Sequence, residues 1–123
     1  MSSQEPFNAR EFAEAYLAAW NRRDEAALRR YFTPEAQYRE IALKKTLEGI
    51  DEIIGFMRHL QQAFPDVRWD VIDVVADSGN KLAIQWMSRR TIDGTPNEAE
   101  GVSFMHLRNG RITLNADFRH RGQ

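Results

Sequence analysis

The sequence predicts an α+β fold in which three N-terminal helices pack against a curved antiparallel sheet. Helical patterns dominate the chain as far as Pro65, and strand patterns dominate the rest. This segregation favours an antiparallel sheet that carries its helices on one face. Helices on one face of a curved sheet would enclose a cone-shaped cavity, and such concave places bind small ligands.

The composition indicates one domain over residues 1–123, with regular structure expected from about residue 9 to residue 120. The net charge of −1 gives no reason to expect a nucleic acid or an anionic membrane as partner. Cysteine is absent, which excludes disulfides and thiolate metal sites. No apolar run approaches the ~20 residues of a membrane span, and the N-terminus lacks a signal-peptide pattern. The cytoplasm is therefore the expected location.

The first two helices have recognisable starts. Asn8 followed by Glu11 resembles a capping box at the start of the first helix. The segment 21–24, Asn-Arg-Arg-Asp, interrupts the apolar stripe, and Asp24 is expected to cap a second helix. Thr33-Pro34 ends that helix. The apolar stripes consist of Phe12, Tyr16, Leu17 and Trp20 in the first helix, and Leu28, Tyr31 and Phe32 in the second.

A third helix is expected after a turn at Glu48-Gly49. Asp51 is expected to cap it, and Pro65 closes it. Its apolar stripe consists of Ile53, Phe56, Met57 and Leu60.

Five strands complete the predicted fold. Residues 36–45, AQYREIALKK, alternate so that Tyr38 and Glu40 share one face while Ile41 and Leu43 pack elsewhere. The other four strands are expected at 67–76, 81–92, 101–107 and 111–119, with turns at 77–80, 93–97 and 108–110.

Three stretches resemble the nuclear transport factor 2-like superfamily, and the resemblance spans about residues 9–120. The superfamily's opening helix pair is resembled by YLAAWNRRDEAALRRYFTPEAQY. Its SnoaL-type third helix is resembled by LEGIDEIIGFMRHLQQAFPD, and its final strand is resembled by NGRITLNADF. The nearest groups are the SnoaL-like polyketide cyclases, the ketosteroid isomerases and the limonene epoxide hydrolases. The resemblance implies a cone-shaped, cystatin-like α+β barrel. It does not select a function, because the superfamily also hosts dehydratases and non-catalytic modules.

The ketosteroid isomerase resemblance implies three site positions. Tyr16 matches the tyrosine that donates to the developing oxyanion. Glu40 stands nine residues before Gly49 and matches the carboxylate base, with Glu in place of Asp. The position of the third member, a protonated acid, falls near Ser103, and a serine hydroxyl is a weaker donor. In the SnoaL-type cyclases a buried aspartate is the acid/base, and Asp117 matches it.

The epoxide hydrolase resemblance is incomplete. That family has a tyrosine on the first strand and an aspartate on the last, and Tyr38 and Asp117 match these. Its Arg-x-Asp pair falls at residues 87–89, Met-Ser-Arg, where both members are missing. Epoxide hydrolysis by that triad is therefore not expected.

Isomerisation of an enone and aldol ring closure share a first step. A base removes a proton next to a carbonyl, and a donor stabilises the enolate. Glu40 and Asp117 are the candidate carboxylates, and two close carboxylates would divide into acid and base, in an order left open. Tyr16 is the candidate donor. No metal or other cofactor is expected, since the sequence has no Gly-rich phosphate loop and no cluster of metal-type ligands.

Each candidate also has a structural interpretation. Tyr16 would be core packing, Glu40 a solvated strand residue, and Asp117 part of a solvent-facing polar side. Arg89 and Arg90 lie on opposite faces of one strand, so that one could point inward. An inward Arg89 would pair with a cavity carboxylate or hold a ligand carboxylate, and otherwise it is a surface charge. The remaining residues expected in the binding cavity are Tyr38, Trp20, Phe56, Met87, Arg89, Ser103 and Asn115.

Two functions follow. The favoured one is a cofactor-free isomerase or cyclase acting on a small apolar carbonyl compound, and the alternative is a non-catalytic ligand-binding or dimerisation module. A homodimer is expected because the outer face of the sheet would otherwise expose apolar area. The residues expected on that face are Leu114, Ile112, Phe104 and Trp86.

Overall fold

The computed structural model describes residues 7–120, which form three helices and a six-stranded sheet. The elements are α1 (Ala9–Arg22), α2 (Glu25–Tyr31), β1 (Phe32–Glu40), β2 (Lys45–Glu48), α3 (Ile50–Ala63), β3 (Arg68–Ala76), β4 (Lys81–Ile92), β5 (Thr95–Arg108) and β6 (Arg111–Arg119). The predicted α+β fold with helices against a curved sheet is confirmed. The sheet is mixed, because β1 and β6 pair in parallel while every other pairing is antiparallel. It is also unclosed, with β2 and β3 at its two edges. The strands lie in the order β2-β1-β6-β5-β4-β3 across the sheet.

The starts of α1 and α2 agree with the prediction. The Asn8 side chain accepts a hydrogen bond from the Glu11 backbone N–H (2.9 Å). The Asp24 side chain accepts one from the Ala27 backbone N–H (3.0 Å). Asn21 has a further role, because its side-chain amide both donates to and accepts from the backbone of Trp69, at 2.8 Å each. This exchange fixes the end of α1 to β3.

The start of α3 differs from the prediction. Gly49, with φ at 91°, occupies the N-cap position and provides no side-chain cap. Asp51 lies inside the first turn, and its carboxylate pairs with Arg29 (3.0 Å) instead of capping. The expected cap is therefore wrong by two positions, although an acid in the first turn still favours the helix dipole.

The first strand differs from the predicted 36–45, because β1 begins at Phe32, which was expected in the second helix, and β2 was not predicted. β1 ends at Glu40, residues 41–44 form a turn, and β2 then pairs back on β1. The turn between β4 and β5 is also tighter than predicted, because only Asp93 and Gly94 form it, both at positive φ. Thr95 already pairs with Ile92.

The two faces of the sheet have different neighbours. Leu82, Ile84 and Trp86 face inward from β4 and are buried. A register shift after His106 turns Ile112 inward, where it is fully buried. Ile112 and Trp86 were expected on the outer face, and that expectation is wrong.

The outer face of β5 and β6 still carries an apolar surface. Phe104 and Phe118 are 37% and 47% exposed there. Val102 and Leu114 lie beside them and are half-buried. These four residues are called the outer patch below.

Within residues 7–120, no helix combines the length and apolar character that crossing a bilayer requires.

Candidate functional site

A cavity of about 320 Å³ lies between the helices and the inner face of the sheet. Aromatic rings from α1, α3, β1, β3 and β4 form much of its wall, and two carboxylates and two guanidinium groups also line it. A cavity of this size suits a small organic molecule. Seven of the predicted site residues line it: Tyr16, Trp20, Tyr38, Glu40, Phe56, Ser103 and Asp117.

Asp117 is held by three hydrogen bonds on the inner face of β6. Its Oδ1 accepts from the Ser103 hydroxyl (2.5 Å) and from the Asn115 side-chain amide (2.8 Å). Its Oδ2 accepts from the Tyr38 hydroxyl. Burial raises the pKa of Asp117, and these three donors oppose that rise. Three donors aimed at one carboxylate favour its ionised form.

A tryptophan extends this hydrogen-bond network. The Trp86 indole N–H donates to the Ser103 hydroxyl oxygen (2.9 Å), which leaves the hydroxyl proton to be donated to Asp117. Trp86 can lie across the sheet because its pairing partner on β5 is Gly101. A Cβ at Gly101 would come within 2.7 Å of the Trp86 Cζ2 atom. Ser103 therefore holds a carboxylate in place.

Glu40 is a buried cavity side chain with an unpaired oxygen. It is 6% exposed, and its Oε1 has no hydrogen-bond partner within residues 7–120. Burial, followed by the negative charge of Asp117, raises the pKa of Glu40 from 4.5 to about 7. Arg119 and Arg90 act in the opposite direction. Glu40 can therefore both take and release a proton near neutral pH.

Tyr16 and Tyr38 are both buried, but their surroundings differ. The Tyr38 hydroxyl is already bonded to Asp117. Tyr16 lies in an aromatic cluster with Phe12, Tyr31 and other rings, and it also faces the cavity. Burial and the Asp117 charge raise the pKa of Tyr16 well above 10.0, so its phenol keeps its proton at neutral pH.

Three predicted cavity residues do not line the cavity. Met87 and Arg89 alternate with the inward residues of β4 and lie on the outer face, where Arg89 pairs with Asp70 (2.7 Å) and Glu98 (2.9 Å). Those two placements are wrong. Asn115 is fully buried and donates a hydrogen bond to Asp117.

Other cavity residues were missed or placed elsewhere by the sequence analysis. Arg90, rather than Arg89, faces inward from β4, and Arg119 lines the cavity two positions after Asp117. Period-two spacing carried the signal for Arg119, which shares the face of Asp117, but it could not choose between Arg89 and Arg90. Leu43, expected to pack elsewhere, lines the cavity from the turn after β1. Three aromatic residues that the sequence analysis did not place in the cavity also line it: His59, Trp69 and Trp86.

In the part of the chain that the structure describes, no three His, Asp or Glu side chains are grouped closely enough to hold a metal ion. The polar groups of the cavity are proton donors and acceptors.

Comparison with protein families identifies the domain. The family model of the SnoaL-like domain matches residues 13–115, which include most of α1, all of α2 and α3, and most of the sheet. The chain belongs to the SnoaL-like domain family. A search of curated proteins found no match to this SnoaL-like domain.

Solved structures share the fold of this SnoaL-like domain at low sequence identity. A Catenulispora acidiphila DSM 44928 protein with a ketosteroid isomerase-like fold, solved with trimethylamine, is 22% identical, with a TM-score of 0.81 over 90% of this chain and 86% of its own. IdmH from Streptomyces antibioticus, a proposed polyketide cyclase, is 20% identical, with a TM-score of 0.79 over 92% of each chain. A proposed SnoaL-like polyketide cyclase from Jannaschia sp. CCS1 is 17% identical, with a TM-score of 0.76 over 95% of this chain and 91% of its own.

Proposed function

We propose that this SnoaL-like domain is a cofactor-free enzyme that moves a proton next to a carbonyl group, in an isomerisation or a ring closure of a small apolar compound. The observation that carries the proposal is the buried Glu40 carboxyl group, whose Oε1 has no partner among residues 7–120 and whose pKa is raised to about 7. A general base works best when its pKa is close to the working pH. The aromatic wall of the cavity supports an apolar substrate.

The two carboxylates take different roles. Both oxygens of Asp117 already accept hydrogen bonds, which fix this side chain and stabilise its ionised form against the rise in pKa that burial causes. Its charge helps to keep the pKa of Glu40 high. Glu40 is therefore the group that exchanges protons, and Asp117 is the group that tunes it.

The chemical step begins when Glu40 accepts a proton from the carbon next to the carbonyl. The C–H bond breaks, its electron pair moves toward the carbonyl oxygen, and an enolate forms. Tyr16 donates a hydrogen bond to that oxygen, where negative charge develops. In an isomerisation Glu40 returns the proton to another carbon. In an aldol closure the enolate carbon attacks a second carbonyl, whose oxygen then takes the proton from Glu40.

Deuterium exchange tests this proposal. Cyclic enones incubated with the protein in D₂O are expected to gain deuterium at the carbon next to the carbonyl, and Glu40→Gln is expected to abolish this gain. Glu11→Gln is the matched control, because Glu11 is exposed at the start of α1. If exchange persists in Glu40→Gln, or if no enone exchanges with the unaltered protein, Glu40 is not the base.

A second candidate is a ligand-binding module without catalysis. The network around Asp117 favours it, because a carboxylate with three donors can serve to fix the Tyr38 ring and the strand pairing. The enone assay separates the two candidates, since a module would bind an enone without exchanging its protons.

We also infer that two copies associate through the outer patch. Phe104 and Phe118 are the exposed rings of this surface, with Val102 and Leu114 beside them. Apolar patches on an outer sheet face commonly mark interfaces. A second copy is the simplest partner, because in a two-fold symmetric dimer the outer patch of each copy covers the outer patch of the other.

A further inference from the structure

Two arginines on the cavity wall form no salt bridge within the described part of the chain, although both lie close enough to Glu40 to lower its pKa. Arg90 extends from β4 and Arg119 from β6, and both line the cavity that contains Glu40 and Asp117. No carboxylate of residues 7–120 lies within ion-pair distance of either guanidinium. Arg89, the outer-face neighbour of Arg90, shows the contrast, because it pairs with Asp70 and Glu98.

Arg90 is positioned by an aromatic ring. Its guanidinium carbon lies 4.5 Å from the centre of the Phe64 ring at the end of α3. A guanidinium that contacts an aromatic face keeps its in-plane N–H groups free for an acceptor. Both Phe64 and Arg90 line the cavity, so these donors are held at its wall.

Arg119 lies two positions beyond Asp117 along β6. Asn115, Asp117 and Arg119 alternate on the inner face of β6; the first two are buried, whereas Arg119 is half-buried. Its pairing partner on β5 is Gly101, which has no side chain to separate it from Trp86. The cavity therefore has an inner region with the two carboxylates and an outer region with the two guanidinium groups.

We propose that Arg90 and Arg119 form a subsite for a carboxylate, so that the ligand is an apolar carbonyl compound carrying a carboxylate group. Guanidinium groups bind carboxylates through paired, charge-assisted hydrogen bonds. The carboxylate end of such a ligand sits at the arginines, and its carbonyl end reaches Glu40 and Tyr16. This substrate class rests on the proposed function, whereas the subsite itself does not.

Calorimetric titration with a matched pair of probes tests the subsite. 2-Naphthoate and 2-naphthamide have the same shape and differ in charge. We expect 2-naphthoate to bind roughly tenfold or more tightly than 2-naphthamide. Arg90→Gln and Arg119→Gln are each expected to weaken naphthoate binding roughly tenfold and to leave naphthamide binding unchanged, which also shows that the variants fold. Arg89→Gln is the matched control and should bind both probes as the unaltered protein does.

The outcome can be separated from that of the proposed catalysis. The same titrations on Glu40→Gln, which lacks the base, should retain the preference for naphthoate. Equal affinity for the two probes, absence of naphthoate binding, or a preference that survives both arginine substitutions would overturn the subsite. A preference for naphthoate without any enone exchange would support the subsite and reject the catalytic function.

Discussion

Glu40 and Asp117 occupy paired positions on the parallel strands β1 and β6, and both carboxyl groups face the same cavity. Asp117 is bonded through both of its oxygens, whereas the Oε1 of Glu40 has no partner among residues 7–120. Side chains at paired positions on one face of a sheet are close neighbours, so the two groups do not titrate independently. This asymmetry is the basis for the proposal that Asp117 is a fixed charge and that Glu40 exchanges protons.

The raised pKa of Glu40 has a consequence for stability. Between pH 4.5 and about 7 the folded state retains a Glu40 proton that the unfolded chain releases, so this contribution to the free energy of unfolding falls as the pH rises. The resulting loss in the free energy of unfolding is at most about 3 kcal/mol. Glu40→Gln removes this loss and should gain stability relative to the unaltered protein as the pH rises through this interval. Urea denaturation across the interval measures the difference, and parallel pH profiles would contradict it.

Gly101 allows the Trp86 ring to reach Ser103. In Gly101→Ala the new Cβ would lie within 2.7 Å of the Trp86 ring and 2.8 Å of the Phe118 carbonyl oxygen. We expect a loss of about 1–3 kcal/mol in the free energy of unfolding. Gly55→Ala is the control, because it lies within α3 with nothing within 4 Å of a new Cβ, and it should be neutral or stabilising. Equal stability of the two variants would show that the Trp86 ring moves freely.

Tyr16 should favour ligands that carry charge on oxygen. A planar phenolate such as equilenin mimics an enolate, and it should bind more tightly than the matching neutral ketone. Tyr16→Phe should weaken phenolate binding by roughly 1.5–3 kcal/mol and change ketone binding much less. Tyr31→Phe is the control, since Tyr31 packs edge-on against Tyr16 without lining the cavity. If Tyr16→Phe binds phenolate normally, Tyr16 is not the donor.

The outer patch should hold two copies together. Sedimentation at micromolar concentration is expected to give about twice the mass of one chain, and Phe118→Glu should give the mass of one chain because a charge in an apolar interface is costly to bury. Ala26→Glu, on the exposed face of α2, should leave the association intact. If the unaltered protein sediments with the mass of one chain, the inferred dimer is wrong.

Alternation along single strands predicted part of the site correctly. Tyr38, Glu40 and Asp117 face the cavity because residues two apart on a strand share a face. Alternation alone could not decide between Arg89 and Arg90, since both are charged and one must face outward. Only the pairing of β4 with its neighbours assigns the inward face to Arg90.

Features that depend on contacts between strands could not be predicted from the sequence. The register shift after His106 turns Ile112 inward, and a count of alternating residues does not reveal a shift. The hydrogen bonds from Trp86 to Ser103 and from Ser103 to Asp117 join three strands. Their alignment depends on the register of both strand pairings, which no single segment encodes.

A carboxyl-carbon NMR titration of Glu40 tests the central claim most directly. We expect a midpoint at about 7, because burial and the charge of Asp117 both disfavour the ionised form. In Asp117→Asn the midpoint should fall but stay above 4.5, because burial is the larger of the two causes. A Glu40 midpoint at its ordinary value of 4.5 in the unaltered protein would show that this carboxyl group is solvated, and it would contradict the assignment of Glu40 as the proton-exchanging group.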